Sequence, residues 1–213
     1  MTTADDAAYE FRTAGPEDAG ALKALDASFT TSTVFHVETT ENGFVLRESP
    51  VEPPLTKVFP KEDPDDCDRN DARGAADENS RVLLARGADG SLAGFVSASY
   101  APWNRRLAIE DIEVAPEHRG RGVGRALMRR AEEFARERGA GHIWLEVTNV
   151  NVPAVRAYQR MGFALCGLDT SLYDSTASAG EYALYMSKPC TPKDGQPPSP
   201  ARRQTEPRGS GAR

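Results

Sequence analysis

Arg119-Gly120-Arg121-Gly122-Val123-Gly124 packs three glycines and two arginines into six residues, between an apolar run that ends at Val114 and an amphipathic stretch that starts at Val123. Small residues let a backbone approach a ligand closely, and a helix N-terminus presents unpaired N–H groups that suit phosphate oxygens. Arginines add charge and bidentate donors. The segment predicts a pyrophosphate cradle. It is not a P-loop, because no Gly-Lys-Ser/Thr follows. It also departs from the dinucleotide fingerprint, since its glycines alternate and Arg125 stands where the third fingerprint glycine belongs. Just upstream lie Glu110, Asp111 and Glu113, whose carboxylates could take a proton or hold a cation. Strand alternation puts Glu110 on one face and Asp111 and Glu113 on the other, unless a bulge intervenes. Trp103 with Asn104, and Tyr173 with Asp174, could wall a site for an acceptor with several amino groups through ion pairs and cation–π contacts; loop packing is the plainer account of all four. His36, His118 and His142 do not cluster, and Cys67, Cys166 and Cys190 lack metal-ligand spacing, so no metal is expected. Cys166 reads as a buried small apolar residue of a strand.

The elements that must position these groups follow from periodicity. Tyr9 to Thr13 predicts a short strand, and Pro16 to Ala27 a helix with Leu22 and Leu25 on its apolar side. Ser28 to Pro60 is ambiguous: Phe44 to Arg47 and Thr56 to Phe59 look strand-like but are broken by Pro50, Pro53 and Pro54. Arg81 to Arg86 and Leu92 to Tyr100 form a hairpin around Ala88-Asp89-Gly90. Leu107 to Val114 is a strand. Val123 to Arg138 is a helix, with Val123, Leu127, Ala131 and Phe134 on one face and Gly139 as its stop. Ile143 to Thr148 is a strand, Pro153 to Met161 a helix, and Ala164 to Leu168 and Ala183 to Ser187 the last strands. The sum is one mixed α/β domain, with a single sheet of about six to seven strands and about four helices. The phosphate loop lies just past a strand's end.

Composition sets the outer bounds. The chain of 213 residues is 39% hydrophobic and 27% charged, with a net charge of −6. That balance suits one folded domain, argues against nonspecific nucleic-acid binding and is compatible with a cationic substrate. The start, MTTADDAAYE, lacks a basic and an apolar region, and no apolar run approaches the ~20 residues of a bilayer span; a reduced, cytoplasmic location without membrane contact is expected. Residues 61–79 hold eight acids and three bases and predict a mobile acidic loop, whereas 191–213, with five prolines and five basic residues, predict a flexible tail. The folded domain is thus expected within 1–190.

Arg119-x-x-Gly122-x-Gly124, placed after Asp111-Ile112-Glu113-Val114-Ala115-Pro116, has a second block downstream. This comprises Asn151, Ala154-Val155-Arg156-Ala157-Tyr158 and Met161-Gly162-Phe163. The two blocks, in this order and spacing, resemble the acetyl-CoA signature of the GNAT N-acetyltransferase superfamily. The resemblance covers roughly Leu107 to Phe163 and implies a sheet splayed at the cofactor, with acetyl-CoA as co-substrate and no metal. It implies that backbone N–H groups of Arg119, Gly120, Arg121, Gly122, Val123, Gly124 and Arg125 hold the pyrophosphate. Ile112 and Val114 would pair with the pantetheine arm as an added strand, and one N–H there would polarise the thioester carbonyl. Asn151 would reach the pantetheine, and Tyr158 would protonate the leaving thiolate. For the base, Glu146 resembles, with Tyr158, the glutamate and tyrosine of ribosomal-protein N-terminal acetyltransferases. Glu146 and Glu110 rank as base candidates, an ordered water being the alternative, and Asp111 and Glu113 as holders of a cationic substrate. A homodimer is common in that superfamily.

A narrower resemblance lies in Ser28-Phe29-Thr30-Thr31, Pro53-Pro54-Leu55-Thr56-Lys57-Val58-Phe59-Pro60, Trp103-Asn104-Arg105-Arg106, Glu146-Val147-Thr148-Asn149-Val150-Asn151 and Cys166-Gly167-Leu168-Asp169 with Leu172-Tyr173-Asp174. These stretches look like streptothricin acetyltransferases, the nourseothricin-resistance enzymes. The reaction so implied is acetylation of an amino group on the β-lysine moiety of a polycationic antibiotic. A protein N-terminal or polyamine acetyltransferase is the first alternative, and a non-catalytic acetyl-CoA-binding module the second.

Overall fold

The computed structural model describes residues 8–59 and 78–190. The expected tail and all of the expected acidic loop except Glu78 and Asn79 lie outside the described residues, as does Cys67. Nine strands and three α-helices are described. In chain order they are β1 (Tyr9–Thr13), α1 (Ala19–Ala24), β2 (Phe29–Thr40), β3 (Gly43–Lys57), β4 (Ser80–Gly87), β5 (Leu92–Ala101), β6 (Arg106–Val114), α2 (Val123–Glu137), β7 (His142–Thr148), α3 (Val152–Arg160), β8 (Ala164–Asp169) and β9 (Ala183–Pro189). Seven strands form one sheet in the order β1-β4-β5-β6-β7-β9-β8. Only β6 and β7 run parallel; every other neighbouring pair is antiparallel.

The apolar pattern explains the layering. Residues at i, i+4 and i+7 of α2 fall on one face. Val123, Leu127, Ala131 and Phe134 are buried, joined by Met128 and Ala135. They share one core with Ile143, Leu145 and Val147 of β7, Leu184 and Met186 of β9, and Val155 and Tyr158 of α3. Both long helices therefore cover the same face of the sheet. Gly139 (φ 67°) and Gly162 (φ 89°) turn the chain back after each helix in the left-handed region, which penalises a Cβ.

Two expectations need correction. The helix expected over 16–27 is a 3₁₀ turn at Pro16–Asp18 followed by only six α-helical residues. Leu25 leaves in an extended conformation (φ −61°, ψ 137°). The cause lies just beyond: the Asp26 carboxylate accepts from Ser28 N at 2.8 Å, and the Arg119 guanidinium donates to the carbonyls of Asp26 and Ser28, so these backbone groups cannot join a helix. Between Ser28 and Phe59 the prolines interrupt the pairing but do not end the strand. The segment forms a separate two-stranded ribbon, β2 against β3, so the domain holds a second small sheet. Each ribbon strand has one neighbour, and half of its N–H groups need no ladder partner. Register passes from Thr33↔Pro50 to Thr31↔Leu55, which leaves Pro53 and Pro54 in the interruption.

Candidate active site

The two parallel strands part company midway. β6 and β7 pair only from Arg106↔His142 to Ile109↔Leu145. Beyond that point β6 stays on β5, through Val96↔Ile112 and Gly94↔Val114, while β7 stays on β9, through Glu146↔Tyr185 and Thr148↔Ala183. The facing edges of Glu110–Val114 and Glu146–Thr148 are thus unpaired with each other, and a gap opens toward the glycine loop. The splay implied by the sequence resemblance is present.

A bulge sits at the branch point. Ala98 pairs with Ile109 and Ser97 with Asp111, so Glu110 is the extra residue. Ser99 and Ser97 share one face of β5, and the Ser99 hydroxyl donates to the Glu110 carboxylate. Asp111 stands opposite Ser97, and Glu113 opposite Phe95, on that same face. Plain alternation would have separated Glu110 from the other two; the bulge gathers all three acids on the face away from α2 and α3. Ala108↔Trp144 carries that face across to β7, where Glu146 lies two residues on.

Burial tunes these groups. Desolvation raises the Glu113 carboxyl to about 7, helped by the nearby Asp111 charge and opposed by Arg119. Desolvation also raises Glu146, while the Tyr173 hydroxyl, which donates to the Glu146 carboxylate, pulls it back; the Glu181 charge adds to the rise. Tyr158 is 9% exposed and packs against Phe163 at 5.9 Å. Burial, then the Asp111 and Glu146 charges, push its phenol well above the ordinary value, so it keeps its proton. Tyr158 thus enters from the helix side while Asp111 and Glu146 stand on the opposite face. The Asp111 and Glu146 charges both reach the Tyr158 phenol.

The loop at the end of β6 has the form of an anion cradle. Gly120 (φ 73°) and Gly122 (φ 86°) both take the left-handed conformation, and a Cβ on Gly120 would meet nothing within 4 Å. Helix α2 makes its first bond from Ala126 N to Gly122 O, so the N–H groups of Val123, Gly124 and Arg125 precede the helical ladder. Gly124 sits against Val114, with 3.4 Å between its Cβ position and Val114 Cγ2, which fixes the helix end on the strand end. These residues fit a pyrophosphate.

Several expected site residues do other work. The Arg119 N–H bonds Pro116 O at 3.3 Å, and its guanidinium holds the carbonyls of Val114, Asp26 and Ser28 at 2.9, 3.1 and 2.6 Å. It is a clamp between loops rather than a free phosphate ligand. Asn151 Oδ1 caps α3 by accepting from Ala154 N at 3.2 Å, a local bond that any Asn at an N-cap favours. Trp103 is 87% exposed in the β5–β6 turn, at the end of β6 remote from Val114, and is not brought to the acids. Asp174 is exposed in the turn before β9, whereas its neighbour Tyr173 reaches Glu146. Cys166 is exposed, not buried, as are its neighbours Ala164 and Leu165 at the start of the edge strand β8. Sequence reasoning passed over Trp144 and Tyr185, whose rings stack at 5.0 Å on the acid-bearing face; the Trp144-x-Glu146 alternation of β7 was the available signal. Among the described residues no group of three His, Cys, Asp or Glu side chains is placed to hold a metal, and no helix is long and apolar enough to cross a membrane.

The comparisons agree with this geometry. The acetyltransferase (GNAT) family model matches residues 46–163. The streptothricin acetyltransferase of Streptomyces lavendulae is 63% identical over 190 residues, which span 89% of this chain and all of that protein. The crystal structure of a nourseothricin acetyltransferase superposes with a TM-score of 0.77 at 66% identity, covering 86% of this chain and 99% of the other. A Bacillus anthracis str. Ames chain crystallised with acetyl coenzyme A shares the fold, with a TM-score of 0.68 at 24% identity over 85% of this chain and 97% of that one. With its splayed β6 and β7, its glycine cradle and a family match across more than half its length, this chain belongs to the GNAT acetyltransferase family.

Proposed function

We propose that the protein transfers the acetyl group of acetyl-CoA to an amino group of the β-lysine moiety of streptothricin-class antibiotics, and so gives resistance. The observation that carries the acceptor class is the 63% identity to the Streptomyces lavendulae enzyme along that protein's entire length. The site's charge supports it: four carboxylates, Glu110, Asp111, Glu113 and Glu146, face the side from which an amine would approach, which favours a polycation.

Acetyl-CoA, when bound, supplies an activated acetyl thioester. The chain's residues do the rest. Gly120 to Arg125 offer N–H groups and open backbone to the pyrophosphate, and the unpaired edge of Ile112–Val114 offers hydrogen bonds to an extended arm. An aliphatic ammonium, with its pKa of about 10, must lose a proton before it can attack. Glu146 takes that role: its raised pKa makes it a better base than a solvated carboxylate, and the Tyr173 hydrogen bond orients it. Glu110, Asp111 and Glu113 hold the remaining ammonium groups. Tyr158 keeps a proton at its hydroxyl for the leaving sulfur. Acetylation removes one positive charge and a donor group from the drug.

A thiol-release assay with acetyl-CoA against streptothricin, spermidine and an N-terminal peptide tests this reading. Turnover is expected with streptothricin at a kcat/KM well above the other two. Turnover of spermidine or peptide without streptothricin would overturn the acceptor assignment and leave the family intact.

A further inference from the structure

A largely buried ion pair lies between the site and the foot of the ribbon. Lys57, the last residue of β3, pairs with Glu181, and the two side chains are only 11% and 16% exposed. Lys57 Nζ also donates to Ser178 Oγ at 2.7 Å. The other oxygen of Glu181 accepts from Thr148 Oγ1 at 2.6 Å. Thr148 follows Glu146 by two residues on β7, so the two share a strand face with ~7 Å between them. The Glu181 charge is thus held about one strand repeat from the Glu146 carboxylate. Tyr173, which donates to Glu146, comes from the same β8–β9 connection as Glu181. On β9 Tyr185 stands directly across from Glu146, under the charges of Asp169 and Glu146. Tyr158 meets the Glu146 charge from α3, Glu110 and Asp111 stand across the gap on β6, and His142 lies on the same face nearer the start of β7. Tyr158, Tyr173 and Tyr185 are all pushed above the ordinary phenol value, chiefly by burial, and stay neutral.

A carboxylate that must accept a proton works only while it is ionised. Burial already disfavours the charged form of Glu146, and a bare Glu181 beside it would hold the proton on more tightly still. Lys57 cancels much of that second charge, and away from bulk water the cancellation is felt further than it would be in solvent. Ser178 and Thr148 fix the two partners, so the cancellation does not depend on a mobile side chain. We infer that Lys57 is a positioning residue of the reaction: carried to the site by the ribbon, it neutralises Glu181 and so keeps the Glu146 base ionised and ready for the proton of the amine. The inference rests on the proposed function above, because it takes Glu146 as the base.

The test is the pH profile of kcat/KM for streptothricin in the wild-type protein, in Glu146→Gln, Lys57→Gln, Lys57→Arg and Glu181→Gln, and in the double variant Lys57→Gln with Glu181→Gln. In Lys57→Gln the acidic limb should move up by about one pH unit, the scale of a unit charge ~7 Å away in a partly solvated setting. The rates of variant and wild type should converge above the limb, and Lys57→Arg should restore most of the wild-type position. Glu181→Gln removes the negative charge and leaves the cation, so its limb should move down by a similar amount. The double variant, with neither charge, should fall between the two singles. Opposite displacements are a result that lost packing cannot produce. A lower rate at every pH with the limb unmoved in Lys57→Gln, or limbs displaced in one direction in both single variants, would overturn the role of Lys57. If Lys57→Gln does not fold, Glu181→Gln still decides: an unmoved limb there means that the Glu181 charge does not reach the base, and overturns the inference. In Glu146→Gln the acidic limb should vanish along with most of the activity. A limb that persists there at the wild-type rate would overturn the base assignment and the role of Lys57 together, whereas its loss there without movement in Lys57→Gln would overturn the role of Lys57 alone.

Discussion

Gly94 offers a sharp test of how the gap is held. It is buried in β5 directly opposite Val114. A Cβ there would lie 2.4 Å from Glu113 O and 3.2 Å from the Val114 Cα, both backbone atoms. Contacts below 3.0 Å do not survive, so Gly94→Ala must push the end of β6 away by about 0.6 Å at least. Overpacking of this kind costs about 1–3 kcal/mol. For a protein of this size, ~2 kcal/mol corresponds to a Tm lower by about 4–8 °C. Function should suffer more than stability suggests, because the displaced backbone is Glu113–Val114, the edge proposed to hold the acyl donor. If a 1 Å misplacement costs ~10²-fold, a shift of this size costs on the order of tenfold in kcat/KM for acetyl-CoA. Thiol release together with a thermal melt reads both quantities. Gly20→Ala serves as control: it lies in α1, a Cβ there meets nothing within 4 Å, and it should leave activity unchanged. Retention of full activity and Tm by Gly94→Ala would refute the idea that close β5–β6 approach sets the gap.

Tyr158→Phe should lower kcat about 10²-fold while the acetyl-CoA KM moves less than about twofold, since the ring still packs against Phe163 and only the donor is lost; parallel losses in both would point to packing instead. Glu113→Gln should alter how stability varies with pH. The folded carboxyl, at about 7, binds its proton more tightly than the unfolded one near 4.5, so this contribution is full below about 4.5 and is lost as pH rises through 7. The variant lacks that loss. Its Tm should match wild type at pH 4 and exceed it at pH 8, and equal Tm values at pH 8 would count against the raised pKa.

The hairpin β4–β5, the strand β6, the glycine loop and α2 were legible because each carries its own local signal: alternation, a turn glycine or an apolar stripe of helical period. So was the splay, through resemblance. The ribbon β2–β3 was not, since a two-stranded element tolerates prolines that a sheet interior would reject, and its outer positions carry no apolar stripe. The bulge at Glu110 leaves no mark in the sequence, being a matter of register against β5, yet it decides which face the acids share. The Tyr173–Glu146 bond and the three carbonyls held by Arg119 join residues far apart in the chain, where local pattern says nothing. Asn151 also has a local role, the capping of α3, readable from its place before Val152-Pro153.

The ribbon carries one more consequence. Two parallel strands that separate halfway along their length would gain hydrogen bonds by closing up, and such a fork is unstable as drawn. Here the β7 branch is fastened elsewhere. Phe35 N bonds Asn149 O at 3.0 Å, and Asn149 Nδ2 bonds Phe35 O at 2.7 Å. Thr148 Oγ1 donates to Glu181 at 2.6 Å, and Glu181 pairs with Lys57 at the foot of β3. Tied outward in this way, the fork has no route to zip shut. A guest molecule meets an opening that already exists, so its arrival need not wait for strands to unpair, and its departure leaves no collapsed form behind.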